Sequence, residues 1–226
     1  MSNITVLEQN NINFPNKLIS IPSSPTKLYC RGDISILNNK SVAIIGTRNP
    51  TEFGRKAALR LAEIFVNNGF TIVSGLALGC DTYAHEGCLN ANGKTIAVLA
   101  HGLDTIYPKE NKKLSEKILE NGGCLISEYP INTKIEKYNF IHRNRLQSGL
   151  SYGVIVIETD IIGGTMHTVN HAINQNKLIG VLGGHSEKYI NENSVKGNHK
   201  LLENKEHHKL SSQREIDNFI LKLNQC

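Results

Sequence analysis

The 226-residue chain has 39% apolar and 20% charged residues and a formal net charge of +5. This composition suits one α/β core, and no apolar run reaches the roughly 18 residues of a membrane span. The five cysteines are odd in number and lack a C-x-x-C pair, which argues against a disulfide framework or a zinc–thiolate site. The modest positive charge tolerates a polyanion without demanding one.

The N-terminus MSNITVLEQNN lacks the basic start and apolar core of a signal peptide, so a cytoplasmic protein is expected. Residues 1–40 read as a lead-in with turn signals and a short strand near 27–30. From Val42 onward, strand-like and helix-like patterns alternate. The apolar runs VAIIG (42–46), FTIVS (70–74), TIAVLA (95–100), GCLIS (123–127), GVIVIE (153–158) and LIGVL (178–182) suit strands buried on both faces. Helical patterns lie near 51–68, 81–92, 110–121, 140–150 and 164–176. Asn68-Gly69, Asn92-Gly93 and Asn121-Gly122 read as helix stops. The predicted fold is a Rossmann-like, doubly wound, mostly parallel sheet of six or more strands over 41–210, with helices on both faces. The polar stretch after Leu182 reads as a surface loop, and a C-terminal helix or tail occupies 211–226.

Four segments could carry a site. In VAIIGTRNPTEFGR the strand ends at Gly46, and Thr47 and Arg48 precede a helix that Asn49 or Thr51 could cap. Free N–H groups at a helix start, together with an arginine fork, suit phosphate. The alternative is an ordinary strand–helix turn with a surface arginine. In SGLALGCDTYAHEG, Ser74, Gly75 and Asp81 form a second glycine-rich turn, with Asp81 placed to cap the next helix and His85 either packing or functional. Two such turns fit the crevice where open α/β sheets bind ligands.

In NFIHRNRLQSGLS, Arg143, Asn144 and Arg145 lie near Phe140, a combination suited to stacking and phosphate binding, or else a helix start with solvated charges. Trp is absent, so stacking falls to Phe, Tyr, His or Arg. In IETDIIGGTMHTVNHAI, Gly163, Gly164 and Thr165 open a helix in anion-binding fashion. His167 and His171 have metal-ligand spacing, but the Glu of H-E-x-x-H and a third ligand are missing, so no metal is expected. No G-x-S-x-G or Walker loop appears, and Glu128 and Glu158 have no defined nucleophile beside them. Binding without cofactor or catalysis is expected.

Taken in order, PTKLYCRGDISIL, VAIIGTRNPTEFGR, IVSGLALGCDTYAHEG, TIAVLAHGLDTIYPKEN, LISEYP, NFIHRNRLQSGLS, VIVIET, GGTMHTVNHAI and KGNHKLLEN resemble the Rossmann-like domain of the DNA-processing protein A (Smf) family. The resemblance runs from about residue 22 to 205. It implies a non-enzymatic, dimeric protein that binds and protects single-stranded DNA and helps load the RecA recombinase in natural transformation. It carries a DNA-facing role to Gly46, Thr47, Arg48, Ser74, Gly75, Asp81, Lys94, Asn144, Arg145 and Gly163 to Thr165. Against the family's usual pattern, no segment matches its leading helical domain or its C-terminal winged helix. GGTMHT also stands where SGS-x-x-TA is usual. The rival is a nucleotide-derivative binder or phosphoribohydrolase of the lysine-decarboxylase-like, cytokinin-activating type, which shares a GG-x-GT loop. There an acidic residue follows the loop, whereas here Met166, His167 and Thr168 follow. A third reading is a regulatory domain that senses a small nucleotide.

Overall fold

The six apolar runs become parallel strands at the centre of one sheet, in a computed structural model that describes residues 4–226. In chain order the elements are β1 (Thr5–Glu8), α1 (Asn16–Ile19), β2 (Lys27–Gly32), β3 (Ser41–Ile45), α2 (Glu52–Asn67), β4 (Thr71–Ser74), α3 (Cys80–Asn90) and β5 (Thr95–Leu99). There follow α4 (Lys112–Glu120), β6 (Cys124–Ser127), α5 (Lys137–Leu150), β7 (Gly153–Val156), α6 (Gly164–Asn174), β8 (Leu178–Leu182), α7 (Asn193–Leu202), β9 (His208–Leu210) and α8 (Gln213–Leu223). Among the described residues the sheet has nine strands, in the order β1-β2-β6-β5-β4-β3-β7-β8-β9. Strands β3 to β9 run parallel, while β2 pairs antiparallel with β6 and β1 antiparallel with β2.

Side chains alternate across a strand, and this alternation builds two cores. Val42 and Ile44 of β3 point to one face, where they meet Ala58, Leu61 and Phe65 of α2, Ala84 of α3 and Phe219 of α8. Ala43 and Ile45 point to the other, among Leu146 and Leu150 of α5 and Val169 and Ala172 of α6. The continuous apolar runs therefore arise because both sheet faces are covered. Each fully buried Val, Leu or Ile contributes roughly 1.5–3 kcal/mol of transfer free energy. No helix among the described residues is long and apolar enough to cross a membrane.

The chain proceeds from β3 through β4 and β5 to β6 on one side, then returns to lay β7 against the other edge of β3. Strand order thus reverses at β3 and β7, and the carboxyl ends of both open on the same side.

Three local expectations change. Two of the helix stops place glycine at positive φ (Gly69 +82°, Gly122 +70°), but in the third it is Asn92 that takes φ +55°. Gly93 is confined by the Val66 side chain. The lead-in supplies a second strand, β1, as well as β2. The stretch after Leu182 contains α7 and β9 where a loop was expected. Asn198, fully buried, holds α7 to the sheet. Its amide donates to Ile157 O at 2.7 Å and Leu182 O at 3.0 Å, and its oxygen accepts from Thr159 N at 2.9 Å. A polar residue performing a core task leaves no apolar signature, which is why the pattern missed it.

Candidate functional site

A cleft of about 820 Å³ opens at the carboxyl ends of β3 and β7, where the strand order reverses. Open α/β sheets bind ligands at such points. One wall is the turn from Gly46 to Arg48 after β3. A second is formed by Thr159 and Asp160 after β7 together with the first turn of α6. The third is α5, whose Phe140, Arg143, Asn144 and Gln147 line the cleft. Their spacing of i, i+3, i+4 and i+7 puts them on one helical face, while Leu146 and Leu150 face the core.

Arg48 is exposed, and its guanidinium carbon lies 5.9 Å from the Phe140 ring centroid. Arg143 approaches the same ring at 5.9 Å, and Tyr107 meets it edge-on at 5.8 Å. An aromatic ring flanked by two cations is the centrepiece of the cleft. The two arginines differ in freedom. Arg143 is 5% exposed and donates to Gly75 O at 2.8 Å and, more closely, to Val98 O. Burial draws its pKa down to about 10, Asp81 opposes that shift, and Arg48 adds to it. Arg143 therefore stays charged near neutrality but is engaged in tying the carboxyl ends of β4 and β5 together. Arg143 thus lines the cleft as expected, with one guanidinium nitrogen held by two backbone carbonyls.

The second turn shapes the floor. Ser74 Oγ donates to Ile44 O at 2.7 Å, tying β4 to β3. Gly75 donates its N–H to Asp81 Oδ2 at 3.1 Å, and a Cβ there would strike the side chains of Arg143 and Gln147. Its bareness makes room for those side chains. Asp81 also accepts from Ala77 N at 3.4 Å and does not cap α3, whose N-cap is Gly79. Burial raises the Asp81 pKa against the pull of Arg143. His85 is packed beneath, with Nδ1 2.7 Å from Thr95 Oγ1. Burial, and then Arg143, lower its pKa to about 3, so the ring is neutral.

Two cations named from the sequence lie elsewhere. Lys94 precedes β5 at its amino end and donates to Asn121 O at 2.8 Å. The length of a five-residue strand, about 16 Å, separates it from the carboxyl-end cleft. Arg145, 3% exposed, turns off the cleft face of α5. It grips Glu128 with bonds of 2.6 and 2.7 Å and also donates to Ser23 O and His142 O.

The two helix starts also part company. At α2, Thr51 is the N-cap, its hydroxyl accepting from Gly54 N at 3.1 Å. The fully buried Glu158 carboxylate accepts from Thr51 N at 2.7 Å and Thr51 Oγ1 at 2.6 Å, and lies 3.1 Å from His185 Nε2. Gly54 leaves space for that carboxylate, and Gly46 packs bare against Cys80. The anion expected at this helix start is thus supplied by the protein itself. At α6 the N-cap Gly163 has no side-chain cap, the first turn has no acid, and a Cβ on Gly164 would meet nothing within 4 Å. Its free N–H groups open into the cleft beside Thr165. Asn144 Nδ2 donates to Gly164 O at 3.2 Å and joins α5 to this turn.

Of the expected residues, the structure brings Gly46, Thr47, Arg48, Asp81, Arg143, Asn144, Gly163, Gly164 and Thr165 to the cleft. It adds Tyr107, Lys137, Gln147 and the 89%-exposed Ile162, which the sequence reading missed. The helical spacing from Phe140 to Gln147 was the signal available for one of them. His167 also lines the cleft, but among the described residues no group of three His, Cys, Asp or Glu is arranged to hold a metal.

Residues 5–220 match the family model described as DNA recombination-mediator protein A. Protein Smf of Synechocystis is 44% identical over 163 residues, covering 70% of this chain and 41% of that protein. The chain spans between 41% and 60% of the length of the curated relatives it matches. Two solved structures are similar. DNA processing protein A from Streptococcus pneumoniae has a TM-score of 0.86 at 31% identity, over 95% of this chain and 74% of that one. The Helicobacter pylori protein, described for its single-stranded DNA binding mode, has a TM-score of 0.84 at 34% identity, over 100% and 99%.

Proposed function

The chain belongs to the DNA recombination-mediator protein A family, and from that premise we propose that it binds single-stranded DNA across the cleft at the carboxyl ends of β3 and β7. The observation that carries this reading is the exposed Arg48 guanidinium beside Phe140 inside a concave crevice. Arg48 takes a phosphate with its planar fork, a base stacks at Phe140, and the uncapped start of α6 (Gly163, Gly164, Thr165) receives a neighbouring phosphate. Lys137 supplies a further cation at the mouth. Gly46 and Thr47 set the turn that presents Arg48. Asp81, Asn144 and the buried Arg143 form the walls behind it.

The strand reversal at β3 and β7, with helices on both faces, supports describing the fold as Rossmann-like and doubly wound. Our reading extends to a role in DNA processing and recombination in natural transformation, with the RecA recombinase as protein partner and a cytoplasmic homodimer as the working form, and it rests on the family membership. Binding rather than catalysis is its activity.

Fluorescence anisotropy with a labelled oligonucleotide, competed by unlabelled single strand, duplex and mononucleotides, tests the ligand. Single strand should compete best. A mononucleotide that competes better would favour a nucleotide-sensing protein. Light scattering tests the dimer, and a monomer mass at micromolar concentration would contradict it.

A further inference from the structure

At the amino ends of β3, β7 and β8, opposite the cleft, two half-buried lysines stand without an acid beside them. Ser41, Tyr152 and Lys177 lie side by side there, each one residue before the paired Val42, Gly153 and Leu178. Tyr152 N donates to Ser41 O at 2.9 Å. Lys17 of α1 reaches over this row. Its Nζ donates to Asn39 O at 2.6 Å and to Ser41 Oγ at 3.1 Å, and lies 4.8 Å from the Tyr152 ring centroid. One of its three N–H groups is left over. The Lys177 ammonium and the Tyr152 hydroxyl make no hydrogen bond among the described residues.

The surroundings add no negative charge. Segments 9–32, 34–51, 137–157, 161–186 and 218–226, which supply α1, the starts of the three strands and the end of α8, contain no Asp or Glu. Lys40, just before β3, bonds Asn224 beyond α8 and adds a third cation. Burial, and then the charge of Lys177, draw the Lys17 pKa down to about 8; burial likewise lowers that of Lys177, with Cys226 opposing. Like charges held half-buried without a counter-charge are unfavourable, and an anion bridging them removes that cost. A carboxylate would bring one charge. A phosphate monoester brings about −1.5 to −2 at pH 7, with oxygens enough for the spare Lys17 N–H, the Lys177 ammonium and the Tyr152 hydroxyl. We propose that Lys17, Lys177 and Tyr152 form a site for a dianionic phosphate group, either the free ion or the monoester of a nucleotide. The length of β3, about 16 Å, separates this site from the cleft, so it stands apart from the single-strand reading.

The probes are inorganic phosphate and thymidine monophosphate. Backbone amide NMR reads each end of the sheet separately, at Ser41, Tyr152 and Lys177 for this site and at Arg48 and Thr165 for the cleft. Inorganic phosphate should shift the amino-end amides saturably. Lys177→Met should weaken that binding about tenfold, the worth of a hydrogen bond to a charged group, and leave the response at the cleft unchanged. Lys177→Arg should keep most of the affinity, and Lys17→Met should repeat the loss. Equal binding of the two probes assigns the free ion, and tighter binding of thymidine monophosphate assigns the nucleotide; either upholds the site. Amino-end shifts that are absent, or that survive Lys177→Met undiminished, overturn the inference. So does an oligothymidylate without a terminal phosphate that moves these amides while inorganic phosphate does not.

Discussion

The Glu158 carboxylate lies 2.7 Å from the backbone nitrogen of Thr51, so the start of α2 already holds an anion. A phosphate reaching the turn after β3 therefore meets Arg48 and not the helix. The start of α6, with no side-chain cap and no acid in its first turn, keeps the positive end of its dipole open to the cleft.

Arg48→Ala should weaken single-strand binding by about 1.5–3 kcal/mol, the range for a hydrogen bond to a charged group. Arg48→Lys should recover part of the loss, because the charge stays while the fork goes. Arg48 is exposed and has no hydrogen bond from its side chain among the described residues, so urea unfolding should be unchanged. A variant that binds like wild type would reduce the turn to a structural one.

The salt dependence should be shallow. Arg48 and Lys137 are the exposed cations lining the cleft, and two phosphate contacts on a single strand give a log–log slope of about −1.4. Lys94→Ala should leave both slope and affinity unaltered, since Lys94 sits at the amino end of β5. Anisotropy titrations across a salt series measure both. A Lys94 variant with a reduced slope would show that the strand wraps to the far end of the sheet.

Arg145→Ala should act on stability. It takes from the part-exposed Glu128 its arginine partner, leaving His142 Nδ1 at 3.5 Å, and removes the bonds to Ser23 and His142; losing hydrogen bonds to a charged group costs about 1.5–3 kcal/mol. Urea midpoints read this loss. Below the unfolding transition, the salt slope of binding should match wild type, and a slope reduced by one contact would return Arg145 to the DNA surface.

Acid should destabilise the fold through His85. Its folded pKa is lowered from 6.5 to about 3 by burial and by Arg143, so the unfolded chain binds the extra proton. The stabilisation is fully present above pH 6.5 and falls as pH drops from there toward 3, by about 1.4 kcal/mol per unit at most. His85→Gln removes the titration, so its urea midpoint should fall less than that of wild type between about pH 7.5 and 5. Equal losses would locate the acid sensitivity elsewhere.

Chain order, apolar runs and glycine turns were enough to foresee the parallel sheet, its crossover helices and the carboxyl-end crevice. Those signals are local: a strand buried on both faces must be apolar throughout, and a helix must stop where the backbone turns left-handed. The Gly46–Arg48 turn, the α6 start and the Phe140 segment could be named from sequence because each lies beside its own strand or helix boundary.

Which charges are free was decided only by the tertiary structure. Arg143, Arg145 and Lys94 look as available in sequence as Arg48. Whether a cation is free depends on its partners, and those come from afar: Glu128 lies 17 positions from Arg145, Ser23 lies 122 away, and Glu158 reaches Thr51 across 107. The cost of burying a charge forces such pairings, but nothing in the spacing of residues along one chain says which carboxylate or carbonyl will arrive. Gln147 and Asn198 show the same with neutral amides. Both are polar in the sequence and buried in the fold, Asn198 with its bonds filled by the sheet and Gln147 facing an open cleft.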